Sequence, residues 1–187
     1  MENNQINRCR WVDLTSDIYM DYHDNVWGKP VYDDKKLFEM FILETFQAGL
    51  SWITILKKSH DFRLAFDNFD VIKIAGYEDS KIQELLRNEK IIRNRLKINA
   101  AITNSRIILD IQKEFGSFSE YLWGFTNHEI ILNKDDNFKT KTELSDRISK
   151  DMKKRGMKFV GSVTIYSYLQ AIGIVNDHET TCFKYHQ

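Results

Sequence analysis

The chain has 187 residues, with 27 Lys and Arg against 27 Asp and Glu, so its formal net charge is zero and it does not carry the overall basic excess of a nucleic-acid binder. Hydrophobic residues make up 42% and aromatics 13%, enough for the core of one domain, or one domain with a small appendage. One proline and eight glycines among many Leu, Ile, Lys and Glu predict an all-α protein, and no apolar run reaches the roughly 18 residues of a membrane span.

The N-terminal stretch MENNQINRCRW lacks the apolar core of a signal peptide, which predicts a cytoplasmic protein. Residues 1–30 are irregular and aromatic, with a short helix expected around Ser16–Tyr22, capped by Ser16 or Asp17. Asp33 or Asp34 caps the first long helix, Gly49 ends it, and Ser51 caps the next. A separate helix over 59–68 is expected to carry Phe62, Leu64 and Phe66. Asp70 caps a short helix that stops at Gly76, and Ser80–Asn88 is another, with Ile82, Leu85 and Leu86 inward.

A long helix from Ile92 to Phe115 ends at Gly116, with Leu96, Ala100, Ile107 and Ile111 at helical spacing. Ser117 and Glu120 form a capping box for a short helix holding Leu122 and Trp123. Residues 126–141 read as a polar, weakly ordered loop. Thr142 then begins a helix with Leu144, Ile148 and Met152 on one face and Gly156 as its C-cap. A last helix covers Ser162–Ile172. Two basic clusters stand out, Lys153, Lys154, Arg155 and Lys158, and Arg87, Lys90, Arg93, Arg95 and Lys97; an ordinary solvated helix face accounts for each equally well.

Four features carry possible chemistry. In the stretch DDKKLFEMFILETFQAGLSWITILKK (33–58), Leu37, Met40, Phe41 and Ala48 mark one apolar helical face with Glu44 at its centre. A buried carboxylate must be paired, or raise its pKa and become neutral. With Trp52 on the following helix, it can line a pocket for a flat, polar or cationic ligand; the alternative is a structural acid satisfied by a distant Arg, with Trp52 as core. Around it, Trp11, Tyr19, Tyr22 and Trp27 supply rings able to grip a planar base. Each ring singly is explained as core.

The third feature joins the chain ends. Cys9 and His23 near one end, with His178 and Cys182 near the other, make a complete set of tetrahedral zinc ligands. Four unrelated polar residues is the alternative, with His60, His128 and His186 also available, and a Cys9–Cys182 disulfide without metal is a third reading. Fourth, Phe159-Val160-Gly161 forms a glycine turn feeding a helix N-terminus, next to Lys158. Its exposed backbone N–H groups suit a phosphate; an ordinary helical corner fits as well.

The segments RCRW (8–11), YHDNVWG (22–28), KKLFEM (35–40), LETFQAGLSWITILKK (43–58) and KKRGMKFVGSVTIYSYLQAIGIVNDH (153–178), with Cys182, span nearly the whole chain. Together they resemble the bacterial 3-methyladenine DNA glycosylase I family, within the helix-hairpin-helix glycosylase superfamily. That resemblance implies an all-α glycosylase of one unit over 1–187, with a helix-hairpin-helix element at about 143–173 and N- and C-terminal segments (1–30 and 174–187) joined by structural zinc on Cys9, His23, His178 and Cys182. It implies a monofunctional enzyme that releases 3-methyladenine from alkylated double-stranded DNA, working as a monomer. Glu44 is then the base-reading acid, Trp52 stacks on the base, and Tyr19, Tyr22 and Trp11 stand nearby. Gln47, Ala48, Gly49 and Leu50 probe the gap left by a flipped nucleotide, and Lys158, Phe159, Val160 and Gly161 hold the DNA backbone. Where the family has glycine after the first cysteine, this chain has Arg10. The 126–141 loop receives no role, and Asp177 stays outside the catalytic set, a helix cap beside His178 being its alternative.

Such a base is cationic before excision and loses its charge as the bond breaks. Favouring the cation therefore selects the lesion more than it accelerates the reaction. A non-catalytic zinc-stapled module that binds methylated bases or damaged DNA is the competing reading.

Overall fold

Asp33 starts the helix around which the molecule is built: its carboxylate accepts from the Lys36 backbone N–H at 2.8 Å, capping α2 (Asp34–Gln47). The computed structural model describes residues 6–134 and 136–186. The first five residues, part of the stretch read for a signal peptide, lie outside it, as does Asp135 in the 126–141 loop. Every residue of α2 from Leu37 to Phe46 is buried. The one-faced stripe expected from spacing is therefore a helix covered all round, which is what a central helix requires. It packs against α3 (Trp52–Ala65), α6 (Arg95–Phe115), α7 (Phe118–Gly124) and α9 (Ser162–Ala171).

Asp34 does not cap α2. Its carboxylate accepts from the Phe118 and Ser119 backbone N–H groups at 2.9 and 2.8 Å and from Gln112 at 2.7 Å, so it anchors the start of α7. The short α1 (Asp17–Asn25) has Ser16 at its N-cap position without a capping bond. Ser51 precedes α3, but its hydroxyl bonds the Thr54 side chain at 2.7 Å rather than a backbone N–H.

The expected break before residue 59 is absent. α3 runs unbroken to Ala65, because nothing between Trp52 and Ala65 is a helix breaker, and a 3-10 turn at Asp67–Phe69 follows. Leu64 is 63% exposed: two residues from Phe62, it lies on the opposite side of the helix. Asp70 caps α4 (Val71–Ala75) as expected, accepting from Ile72 and Lys73, and α5 (Asp79–Arg87) buries Leu85. In α6, Leu96 faces solvent and Lys97 takes the inward place. Ser117 accepts from the Glu120 N–H at the head of α7, and Thr142 caps α8 (Glu143–Lys154) in a capping box closed by Ser145.

The fold is mostly helical, as expected, with one addition: a two-residue parallel pair among the described residues, β1 (Ile131–Leu132) against β2 (Val175–Asn176). Two residues per strand leave no period-2 pattern to read. The pairing fastens the 126–141 loop, expected to be weakly ordered, to the segment that follows α9. No helix among the described residues is long and apolar enough to cross a membrane.

Candidate active site and metal centre

A cavity of about 400 Å³ opens between α1, α2, α3 and α9. Trp11, Tyr19, Tyr22, Trp27 and Trp52 line it, together with Glu44 and Gln47. The expected aromatic set and the expected acid thus meet in one place. The Tyr22 and Trp52 rings lie 5.3 Å apart, and Trp11 packs edge-on to Tyr19 at 5.9 Å and to Trp27 at 5.1 Å.

Glu44 is 4% exposed and makes no hydrogen bond or ion pair among the described residues. Burial pushes its carboxyl pKa up to about 8, so in this cavity it is mostly protonated at neutral pH. The distant arginine that a structural role needed does exist, but it serves a different acid: Arg63 binds Glu39 at 2.6 Å. The Trp52 indole N–H is also buried without an acceptor. An acid without a cation and a donor without an acceptor, both at a ring-lined cavity, are groups that a polar ligand would satisfy.

Other lining residues were not singled out from sequence. Val163, Tyr166, Ser167 and Gln170 come from one face of α9, and their three-and-four spacing was legible although what they faced was not. Asp177 accepts hydrogen bonds from Tyr166 at 2.9 Å and from the Gln170 and Asn133 amides. It thus joins α9 to the 126–141 loop and caps no helix. Asn133 and Phe138 of that loop line the cavity too, and Phe138 is 91% exposed at its mouth. Asp136 pins the loop by accepting from the Thr180 backbone N–H and hydroxyl at 2.7 and 2.8 Å. Nothing in this loop's composition marks it as a pocket wall. Arg10, the departure after Cys9, binds Glu179 at 3.2 Å at the same mouth.

Behind the aromatic wall, Cys9, His23, His178 and Cys182 come together, all buried, with donor atoms within 4.8 Å of one another. Cys9 Sγ lies 3.5 Å from His178 Nδ1, and Cys182 Sγ lies 3.4 Å from His23 Nε2 and 3.6 Å from His178 Nδ1. Tetrahedral zinc at ordinary bond lengths sets its sulfur and nitrogen donors about 3.6 Å apart, so donor chemistry and spacing both fit such an ion. The two thiols are free rather than bridged. His23 holds the Asp24 carboxylate through Nδ1 at 2.8 Å, and Arg8 secures Asp24 in turn at 2.7 Å, which fixes the ring with Nε2 toward the sulfurs. Burial lowers His178 to about 4 and raises the Cys9 thiol. Gly28, at φ +76°, presses on His178: a Cβ there would lie 2.6 Å from Nε2. The cluster touches the cavity wall through rings, Trp11 to His23 at 5.4 Å and Trp27 to His178 at 4.6 Å.

The turn from Gln47 to Leu50 is closed on itself, Leu50 N–H donating to Gln47 O and Gln47 Nε2 to Leu50 O, both at 2.7 Å, with Gly49 at φ +79°. The Lys158–Gly161 turn leads into α9, whose N-cap Gly161 has no side chain to cover the first N–H groups. A Cβ at Gly161 would meet nothing within 4 Å. Of the basic cluster before it, Lys153, Lys154 and Lys158 are exposed, whereas Arg155 is taken by Glu114 at 2.6 Å and Asp151 at 2.8 Å. The other basic cluster is not one surface, since Lys97 is buried.

A family model described as methyladenine glycosylase matches residues 11–185. The chain is 45% identical over 178 residues to DNA-3-methyladenine glycosylase of Haemophilus influenzae, covering 94% of this chain and 96% of that one. It is 44% identical over 181 residues to DNA-3-methyladenine glycosylase 1 of Escherichia coli, covering 95% and 96%. A crystal structure of a variant 3-methyladenine DNA glycosylase I in complex with 3-methyladenine superposes with a TM-score of 0.92 at 34% identity, covering 96% of this chain and 98% of that one.

Proposed function

The chain belongs to the methyladenine glycosylase family, and on that premise we propose that its ring-lined cavity receives 3-methyladenine flipped out of alkylated duplex DNA, with Glu44 as the reader of the base. The enzyme is a base-excision-repair DNA glycosylase, a hydrolase, which replaces the alternative of a non-catalytic binding module. The observation that carries the site assignment is the buried, unpaired Glu44 beside the unpaired Trp52 N–H.

The base leaves the stack before its glycosidic bond is within reach, and a poorly paired lesion costs less to extrude than a normal pair. Trp52 and Tyr22 then offer faces to the ring, the stack on Trp52 contributing about 1–3 kcal/mol. The arriving cation lowers the Glu44 pKa, the acid ionises, and its carboxylate accepts from the adenine edge. In the chemical step the C1′–N9 bond breaks and its electron pair passes into the ring, cancelling the positive charge. Water adds to C1′ and gives up a proton. Because the base becomes neutral as the bond breaks, Glu44 acts mainly in selection, and the lability of the cationic base supplies much of the rate. No lysine is assigned as an imine-forming nucleophile, so the reaction is hydrolysis without strand cleavage.

DNA is held by two segments in this reading. Gln47, Ala48, Gly49 and Leu50 face the gap left by the flipped nucleotide. Lys158, Phe159, Val160 and Gly161, between α8 and α9, form the hairpin of a helix-hairpin-helix element at about 143–173 and present N–H groups and a lysine to a phosphate. Cys9, His23, His178 and Cys182 hold a structural zinc; a bound ion there would have four protein ligands, supply folding energy and leave no open coordination position. The whole of 1–187 acts as one unit and as a monomer in the cytoplasm.

The test is excision and binding by Glu44→Gln. Alkylated duplex DNA incubated with the native enzyme should yield free 3-methyladenine without strand breaks, and the variant should bind free 3-methyladenine more weakly. Native release together with native base affinity in the variant would remove Glu44 from this role.

A further inference from the structure

The two segments assigned to DNA lie far apart in sequence, yet α6 touches both through buried polar side chains. Lys97 is 6% exposed, and its ammonium donates to Phe46 O at 2.8 Å and Ala48 O at 2.6 Å. Those carbonyls belong to the last turn of α2 and the residue after it, where intrahelical donors have run out. The same ammonium stands 6.0 Å from the centre of the Phe159 ring, within range of cation–π attraction. Two turns along α6, Asn104 is fully buried and clamps the hairpin from both sides: its Nδ2 donates to Lys158 O at 3.0 Å and its Oδ1 accepts from Lys158 N–H at 2.8 Å. Phe159 adopts φ +57°, a left-handed backbone that a bulky residue holds only under local restraint.

A buried ammonium loses its hydration, and burial lowers the Lys97 pKa. A methionine, of similar length, would fill the space without that cost, but would leave the Phe46 and Ala48 carbonyls without the ammonium and the Ala48–Leu50 turn free to shift against the hairpin. We propose that Lys97 and Asn104 are positioning residues that hold the Ala48–Leu50 turn and the Lys158–Gly161 hairpin in one fixed spacing, so that both meet the same DNA duplex. The proposal rests on the reading of those two segments as the DNA-contacting loops.

Geometry set between two contact points acts on DNA engagement, while Glu44 and Trp52, which read and stack on the base, lie outside both segments. Lys97→Met and Asn104→Ala should therefore each raise the KM for alkylated duplex DNA by about tenfold or more, misplacement by an ångström being costly in oriented complexes. The affinity for free 3-methyladenine should stay within about twofold of native, a split that loss of general stability does not produce. Lys97→Arg, which keeps a cationic donor, should recover much of the loss, and Asn104→Ala reads the hairpin clamp alone if Lys97→Met does not fold. Native KM in folded variants, equal losses for duplex and free base, or failure of both Lys97→Met and Asn104→Ala to fold would each overturn the proposal. A native enzyme that did not act on alkylated DNA would instead count against the underlying function.

Discussion

Glu39 and Glu44 are both buried in α2, and among the described residues only Glu39 has a cation. Arg63 reaches Glu39 at 2.6 Å and Lys36 reaches the same carboxylate at 3.2 Å, whereas Glu44 meets the aromatic rings of the cavity. Both residues carry the same desolvation problem, solved within the protein for one and left for a ligand to solve in the other. This difference turns an awkward acid in an apolar helix into a candidate reader of a cationic base.

The unpaired state should be visible in stability against pH. Glu44 has its folded pKa raised from 4.5 to about 8 by burial. Between those values the unfolded chain has released the proton and the native chain still holds it. Stability contributed by protonated Glu44 is thus fully present below about pH 4.5 and declines as pH rises toward 8, by up to about 1.4 kcal/mol per unit. Thermal or urea unfolding of native protein and Glu44→Gln across pH 5–9 should show the variant gaining relative stability as pH rises. A constant difference would place the Glu44 pKa near its ordinary value.

Lesion binding should carry the opposite sign. A cationic base favours ionised Glu44, so its arrival expels a proton in the window between the lowered Glu44 pKa in the complex and about 8. Affinity for the cationic lesion in duplex DNA should rise with pH and level off near 8, and Glu44→Gln should flatten the rise. Fluorescence titration reads the affinity at each pH, and calorimetric titration in two buffers of different ionisation enthalpy measures the proton directly.

Trp52 should contribute through stacking. Replacing it with Ala should weaken free 3-methyladenine by about 5- to 150-fold, the equivalent of 1–3 kcal/mol, with much less effect on binding to undamaged DNA. Equal effects on both would mean that the indole supports the fold more than the base.

The cysteine–histidine cluster makes a metal prediction. Protein purified without chelator should contain about one equivalent of zinc, and Cys182→Ser should lose it together with several degrees of melting temperature. Because Trp11 and Trp27 pack on His23 and His178, base affinity should fall as well. Less than half an equivalent in the native protein would count against the staple.

Gly28→Ala tests the same centre without replacing a ligand. A Cβ at φ +76° and 2.6 Å from His178 Nε2 must displace the imidazole or the α1 end of the chain. The expected outcome is weaker zinc retention and lower thermal stability, read by metal release to a chelator. Native behaviour in both would show that His178 can move freely.

Much of the candidate site was legible in the residues themselves, in that the acid and rings named from sequence line one cavity. Helical character follows from scarce breakers, most caps from Asp, Ser and Thr before apolar runs, and the segments QAGLSW and NDH with Cys182 carried the family resemblance and with it the four residues that could hold a metal ion. The residues set the cost of burying Glu44, since any carboxylate in the middle of an apolar helix must be neutral or paired. Which of those it is, only the tertiary structure decided, because pairing depends on what α3 and α9 bring alongside: Arg63 arrives at Glu39, and among the described residues no cation arrives at Glu44. The same holds for Lys97, one of a run of surface-like charges whose acceptors lie some fifty residues away in the chain, and for the β1–β2 pair that swings a featureless loop over the cavity. Local spacing determines which face a residue occupies along its own helix; hydrogen bonds and ion pairs between distant segments exist only once the chain is packed.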